Sequence, residues 1–146
     1  MAIKALDLTK TKVVSSKYDT EKDETKKTKF KVGVLSFRDV GRIRDLVTSI
    51  TVNAAQEEDG TDEVLTNIER SKMQFEACRR GIRGWENFMG PDDKPVKFKT
   101  QTREVDGASR EVVPDDLLNM IPLQVIVELS DIVMSDNDIT EEDVKN

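Results

Sequence analysis

The chain has no histidine and a single cysteine, Cys78, among its 146 residues. It therefore lacks the usual general base, the imidazole and thiolate set of a zinc site, and any means of forming an intrachain disulfide. No apolar run approaches the ~20 residues that span a bilayer. The amino end, MAIKALDL, is too short and too charged for a secretory leader. These absences lead us to expect a soluble protein of a reducing compartment, with no membrane partner, no metal and no cofactor. Carboxylates are numerous, but they fall mostly in loops and in the carboxyl-terminal tail, where solvation rather than paired acid and base work is expected. The stretches Gly33-x-x-Ser36 and GIRG lack a P-loop lysine or a dinucleotide fingerprint. No catalytic residues and no enzymatic activity are expected.

Aromatic residues are scarce as well, with one Trp, one Tyr and five Phe. So poor a supply is expected to be used for packing. The central stretch, KMQFEACRRGIRGWENFMGPDDKPVKFKT, holds three of these rings near one helix end. Phe75, Cys78 and Ile82 continue an apolar helix face at three- and four-residue spacing, and Gly81 and Gly84 supply a stop. Trp85 and Phe88 then follow, and the expectation is that they fold back beneath the helix as an anchor. Cys78, on the apolar face, reads as a buried and inert thiol.

Charged residues make up 36% of the chain, and the net charge is −6. The distribution is uneven: residues 1–31 hold nine Lys against five Asp/Glu, whereas residues 115–146 hold one Lys against nine Asp/Glu. Such ends attract one another within a chain or between neighbouring copies, which leaves self-association open, while the net charge argues against general nucleic-acid affinity. Residues 1–27 read as a polar amino-terminal arm with a candidate edge strand between Ile3 and Val14. Residues 28–135 read as one α+β domain of helices packed with short antiparallel strands and a β-hairpin, and residues 136–146 as an acidic tail.

Within that domain, Phe30, Val32 and Val34 alternate with polar or small residues, the signature of a half-buried strand. Ser36 and Asp39 form an acidic capping box, and Phe37, Val40, Ile43, Val47 and Ile50 recur on one helix face. Gly41 in that helix suggests a close helix crossing. After an acidic break at residues 53–60, Thr61 caps a long helix with Val64, Leu65, Ile68, Phe75, Cys78 and Ile82 on its inner stripe. Lys72, Arg79, Arg80 and Arg83 form a basic patch that the helix dipole and solvation explain without a nucleic acid. The run VKFKTQTREVDGASREVV predicts a hairpin, with Val96 and Phe98 on one arm, Val112 and Val113 on the other, and Asp106-Gly107 at the turn. Pro114 and Pro122 each stand at the first position of a helix. The second of these helices carries Leu123, Val125, Ile126, Leu129, Ile132 and Val133, and it either closes the core or forms half of an oligomer contact. In the tail, Asp136 and Asp138 have calcium-loop spacing, but Glu141 occupies the position that needs glycine. Thr140 to Asp143 instead writes a capping box, with Ile139 and Val144 as its docking residues. The candidate partner-binding or fold-anchor residues are thus Trp85, Phe88, Leu123, Ile126, Ile139 and Val144.

Three runs, CRRGIRGWENFMGPDDKPVKFKTQ, LLNMIPLQVIVELSDIV and DITEEDVKN, resemble a layout found in small proteins of tailed bacteriophages, often tail assembly chaperones. There, a glycine-aromatic motif precedes an acidic turn of the D-x-x-G-x-P type and an apolar-plus-lysine strand, followed by a Leu-Pro helix and a terminal acidic segment. Here the turn is Asp92-Asp93-Lys94-Pro95, without the glycine. The resemblance implies a non-enzymatic protein of the infected cell's cytoplasm that binds tape measure and tail tube proteins. A structural virion component, such as a connector or minor capsid-associated protein, and a phage-encoded regulator or inhibitor of a host protein are the alternatives.

Overall fold

The computed structural model describes residues 2–45, 62–105 and 107–135, with residues 62–69 described by backbone alone. The fold is α+β. In chain order, its elements are β1 (Thr11–Ser15), β2 (Lys29–Gly33), a helix α1 described over residues 37–45, α2 (Asp62–Gly81) and β3 (Ile82–Glu86). They are followed by β4 (Gln101–Val105), β5 (Ala108–Val112), α3 (Asp115–Leu118) and α4 (Leu123–Ser135). β1, β2 and β3 form an antiparallel sheet in that order, and β4 and β5 form a separate hairpin.

The sheet presents one face to the core because its register aligns apolar residues in rows. Val14 faces Phe30, and Phe30 faces Trp85, giving one row. Lys12, Val32 and Ile82 give the next. A lysine in a core-side row of an edge strand discourages further strand addition, in keeping with a charge-protected edge. β3 grows directly out of α2: Gly81 ends the helix and Ile82 begins the strand. Ile82 therefore does not extend the helix stripe, and Trp85 is a strand residue rather than one folded back beneath the helix.

Against this face pack the buried last turn of α2, through Ala77 and Cys78, and the inner face of α4, through Val125, Ile126, Leu129 and Val133. Leu35, Val40 and Ile43 close one side of the core, and Leu117, Leu118 and Ile121 another. The apolar face of α4 is thus spent on the core. Gly81 permits the closest helix approach: a Cβ there would lie 2.6 Å from both Val133 methyl carbons. Its role is contact with α4, and neither Gly81 nor Gly84 has the positive φ of a helix-stopping glycine.

Ser36 caps α1 as its sequence predicts. Its Oγ accepts the Asp39 backbone N–H at 3.1 Å and donates to the Asp39 carboxylate at 3.1 Å. Phe37, however, is 87% exposed. At ~100° per residue, the buried arc of Asp39, Val40 and Ile43 is centred more than 90° away from position 37, so the inward face excludes it. Gly41 has no neighbour within 4 Å of its Cβ position among the described residues, so none of them makes the close crossing expected there. Val47, Ile50, the acidic break, Thr61, Asp106, Ile139, Val144 and the Thr140–Asp143 capping box lie outside the described residues, as do the side chains of Val64, Leu65 and Ile68.

The hairpin arms also differ from expectation. Val105 faces Ala108, so the connection is two residues long, with Gly107 at φ 80°. The first arm is Gln101–Val105, whereas Val96 and Phe98 pack against the core upstream of it. Pro114 is the N-cap of α3, one position before that expected, and Pro122 likewise directly precedes α4.

The basic patch is only partly solvated. Arg79 and Arg80 are buried at the end of α2. Arg79 donates to Glu76 at 3.0 Å and to Asp115, and stacks 5.0 Å from the Phe75 ring centroid. Arg80 donates to buried Asp39 at 3.0 Å, and Arg110 of β5 reaches the same carboxylate oxygen. These pairs join α1, α2, β5 and α3, so the last turn of α2 is a charged hub of the fold rather than a solvent-facing patch.

Candidate functional site

A cleft of about 380 Å³ opens where the β1–β2 connector, the segment after β3 and the start of α4 meet. Each wall has an identifiable cause. Residues 16–28 are polar and largely exposed, yet they are tied to the domain at two points. Glu128 of α4 accepts the Ser16 hydroxyl at 2.9 Å and the Lys17 backbone N–H at 3.1 Å. Asn87 takes the left-handed conformation, φ 58°, which asparagine tolerates better than most residues. From there its Nδ2 donates to the carbonyls of Thr25 and Lys27, while Thr28 donates to the Asn87 carbonyl at 2.8 Å.

The opposite wall follows from the turn after β3. Val96 N–H donates to the Phe88 carbonyl at 2.7 Å, and Gly90 N–H to the Lys94 carbonyl at 2.9 Å. Asp93 closes this turn at φ 59°. The turn holds Phe88 inward and leaves Met89 at the rim. Trp85 supports it from below: its indole N–H donates to the Val96 carbonyl at 2.8 Å. Its ring meets Phe30, Phe88 and Phe98 edge-on, with centroids 6.2, 5.1 and 4.9 Å away.

The cleft thus has an aromatic and aliphatic floor, Phe30, Phe88 and Val125, and a more open rim that includes Tyr18 and Met89, each 48% exposed. Leu123, on the first turn of α4 between Pro122 and Gln124 of the lining, is 69% exposed. A pocket of this composition has room and apolar surface for an apolar side chain, with polar groups of Ser16, Asp19 and Thr28 along its edge.

Of the residues singled out in the sequence, Phe88 lines the cleft and Leu123 stands beside it. Trp85 is buried beneath the cleft as a packing residue. Ile126 is also buried, and its carbonyl accepts the Cys78 thiol at 3.4 Å, so it belongs to the core and is not a surface for partners. Met89, Asn87 and Glu128 have no such mark in the sequence, because they come together only through long-range pairing between distant loops. The usable signal was Tyr18, the sole large ring of a polar segment.

Cys78 is buried beside α4, and burial pushes its thiol up to about 12. Such a thiol is not a nucleophile at neutral pH. Among the described residues, no group of three or more Cys, Asp or Glu could hold a metal ion, and no helix is long and apolar enough to cross a membrane. No protein-family model, curated protein or solved structure matches this chain.

Proposed function

We propose that this protein is a non-enzymatic assembly chaperone of tailed-bacteriophage morphogenesis, acting in the host cytoplasm on tape measure and tail tube proteins. The resemblance of residues 78–101, 117–133 and 138–146 supplies the class of partner. The observation that carries the binding role is the apolar cleft at the start of α4, with Tyr18, Met89 and Leu123 exposed around it. Half-exposed aromatic and methionine side chains over a packed floor suit an adaptable contact with apolar segments of other chains. The charged flanks of the molecule supply steering, so association slows as salt rises while much of the affinity remains.

The test is co-purification of the full chain with tape measure and tube proteins, repeated with the double variant Met89→Glu and Leu123→Glu. Binding by the native protein, lost in a variant that remains folded, supports the reading. Absence of both partners from the native co-purification would sink it. Mass spectrometry of purified particles separates the chaperone, which leaves before completion, from a virion component, which remains.

A further inference from the structure

Asp19 and Glu128 bring two negative charges to the apolar cleft. Asp19 lines it, and Glu128 stands one turn along α4 from the lining residues Gln124 and Val125, 2.9 Å from the Ser16 hydroxyl of the β1–β2 connector. Both are half-buried. Their oxygens accept from neutral donors: Asp19 takes the backbone N–H groups of Glu21 and Thr28 at 3.0 and 2.9 Å, and Glu128 takes the Ser16 hydroxyl and the Lys17 backbone N–H. Elsewhere, buried Asp39 and half-buried Glu76 are matched by arginines. Among the described residues, no Lys or Arg forms an ion pair with Asp19 or Glu128, and none lines the cleft. The Lys17 ammonium lies over the Tyr18 ring instead, 5.2 Å from its centroid.

The Glu128 contacts are of a kind that a competitor can replace. Lys17 is exposed, so water can satisfy its N–H once another group claims the carboxylate. The far end of the connector stays tied independently, by Asn87 at the carbonyls of Thr25 and Lys27. A cation would give Glu128 a full opposite charge, which a hydroxyl and an amide do not. In this half-buried setting, salt and water screen such a pair less than at an open surface.

We propose that the cleft takes a protein segment in which an aliphatic side chain adjoins a lysine or arginine. The aliphatic group enters over Phe30, Phe88 and Val125, and the cation takes the Glu128 carboxylate from Ser16 and Lys17. Asp19 adds to the attraction. An acidic neighbour would instead meet two like charges, so the cleft selects by charge as well as by apolar fit. The proposal rests on the reading of the cleft as a docking surface for apolar segments of other chains, and names the chemistry of the segment.

The test is an NMR titration of the full-length protein with two synthetic peptides at constant pH and ionic strength: acetyl-Ala-Leu-Lys-Leu-Ala-amide, and its neutral counterpart with glutamine in place of lysine. Saturable movement of the Met89 and Val125 methyl signals is expected with both, the lysine peptide binding about fivefold more tightly. Only the lysine peptide should shift the Lys17 amide and speed its exchange with solvent, because only it competes for Glu128. The net charge of −6 attracts any cationic peptide. Glu128→Gln changes that charge by one unit yet keeps an oxygen for Ser16 and Lys17, and it should remove most of the preference for lysine. A Glu128→Gln protein that keeps the full preference would overturn the proposal, as would a Lys17 amide that the lysine peptide leaves unmoved. Equal binding of the two peptides overturns the charge selection alone, whereas binding of neither overturns it together with the docking role of the cleft. Should the variant fail to fold, the two titrations of the native protein still decide.

Discussion

Gly81 and Val133 touch across the α2–α4 interface so closely that a Cβ on Gly81 would sit 2.6 Å from both valine methyl carbons. Two effects therefore oppose each other in Gly81→Ala. Helix propensity favours alanine by about 1 kcal/mol. Overpacking against a buried valine costs about 1–3 kcal/mol and here meets two methyls at once. We expect the clash to win, with Gly81→Ala destabilising in urea unfolding. In a Val133→Ala background the same substitution should cost less, because the two obstructing methyls are gone and only the Cβ of residue 133, 3.2 Å away, remains. Equal effects in the two backgrounds would show that the contact is not what selects glycine.

Trp85 joins the sheet, the Val96 segment and the aromatic floor of the cleft, so its removal should be felt in all three. Trp85→Ala is expected to cost about 3–5 kcal/mol, the usual range for a buried large ring. Trp85→Phe keeps a ring but leaves the Val96 carbonyl without its indole donor, and should fall between alanine and the native residue. Native fluorescence should be poorly quenched by acrylamide, and ready quenching would contradict the burial.

The buried thiol permits a direct check on the core. With its pKa raised to about 12 and the side chain enclosed, Cys78 should not react with a thiol reagent in the native protein near pH 8. It should react fully once denatured. Prompt stoichiometric labelling of the native protein would mean that the α2–α4 interface opens readily.

Local signals in the sequence were legible where one element explains itself. The alternation around Phe30 and Val32, the Ser36 cap, the Asp106-Gly107 turn signal and the prolines before α3 and α4 each depend on neighbours a few residues away. β3 was hidden for a physical reason. Its bulge at Arg83, which has no counterpart on β2, breaks the period of two, so Ile82 and Trp85, three residues apart, share a face and mimic a continuing helix. Phe37 misled because helix spacing names several faces and only tertiary contacts choose one. Arg79 and Arg80 misled because their carboxylate partners include Asp39 and Asp115, distant in sequence. The cleft was hardest to read: its walls come from three segments, and of its surroundings only Tyr18, Phe88 and the neighbouring Leu123 carry a signal in the sequence.

Asp39 yields the prediction with the clearest dependence on pH. Its carboxylate is buried, and burial alone raises the pKa. Hydrogen bonding and charge from Arg110, with further hydrogen bonds from Ser36 and Arg80, outweigh this and hold it below its ordinary 3.8. A carboxylate depressed in the folded state contributes stability that is complete above its unfolded pKa and is lost as pH falls through the lower folded value. The contribution of Asp39 should therefore be complete and independent of pH near neutrality, and be lost below about pH 4. Asp39→Asn removes the charge while the arginines stay buried, and at pH 7 we expect a loss of roughly 3–5 kcal/mol, as when one partner of a buried pair is deleted. The gap between native and Asp39→Asn proteins, measured by urea unfolding from pH 7 down to pH 3, should narrow as the native carboxyl takes up its proton. A gap that stayed constant over that range would mean that the stability comes from the shape of the side chain and not from its charge.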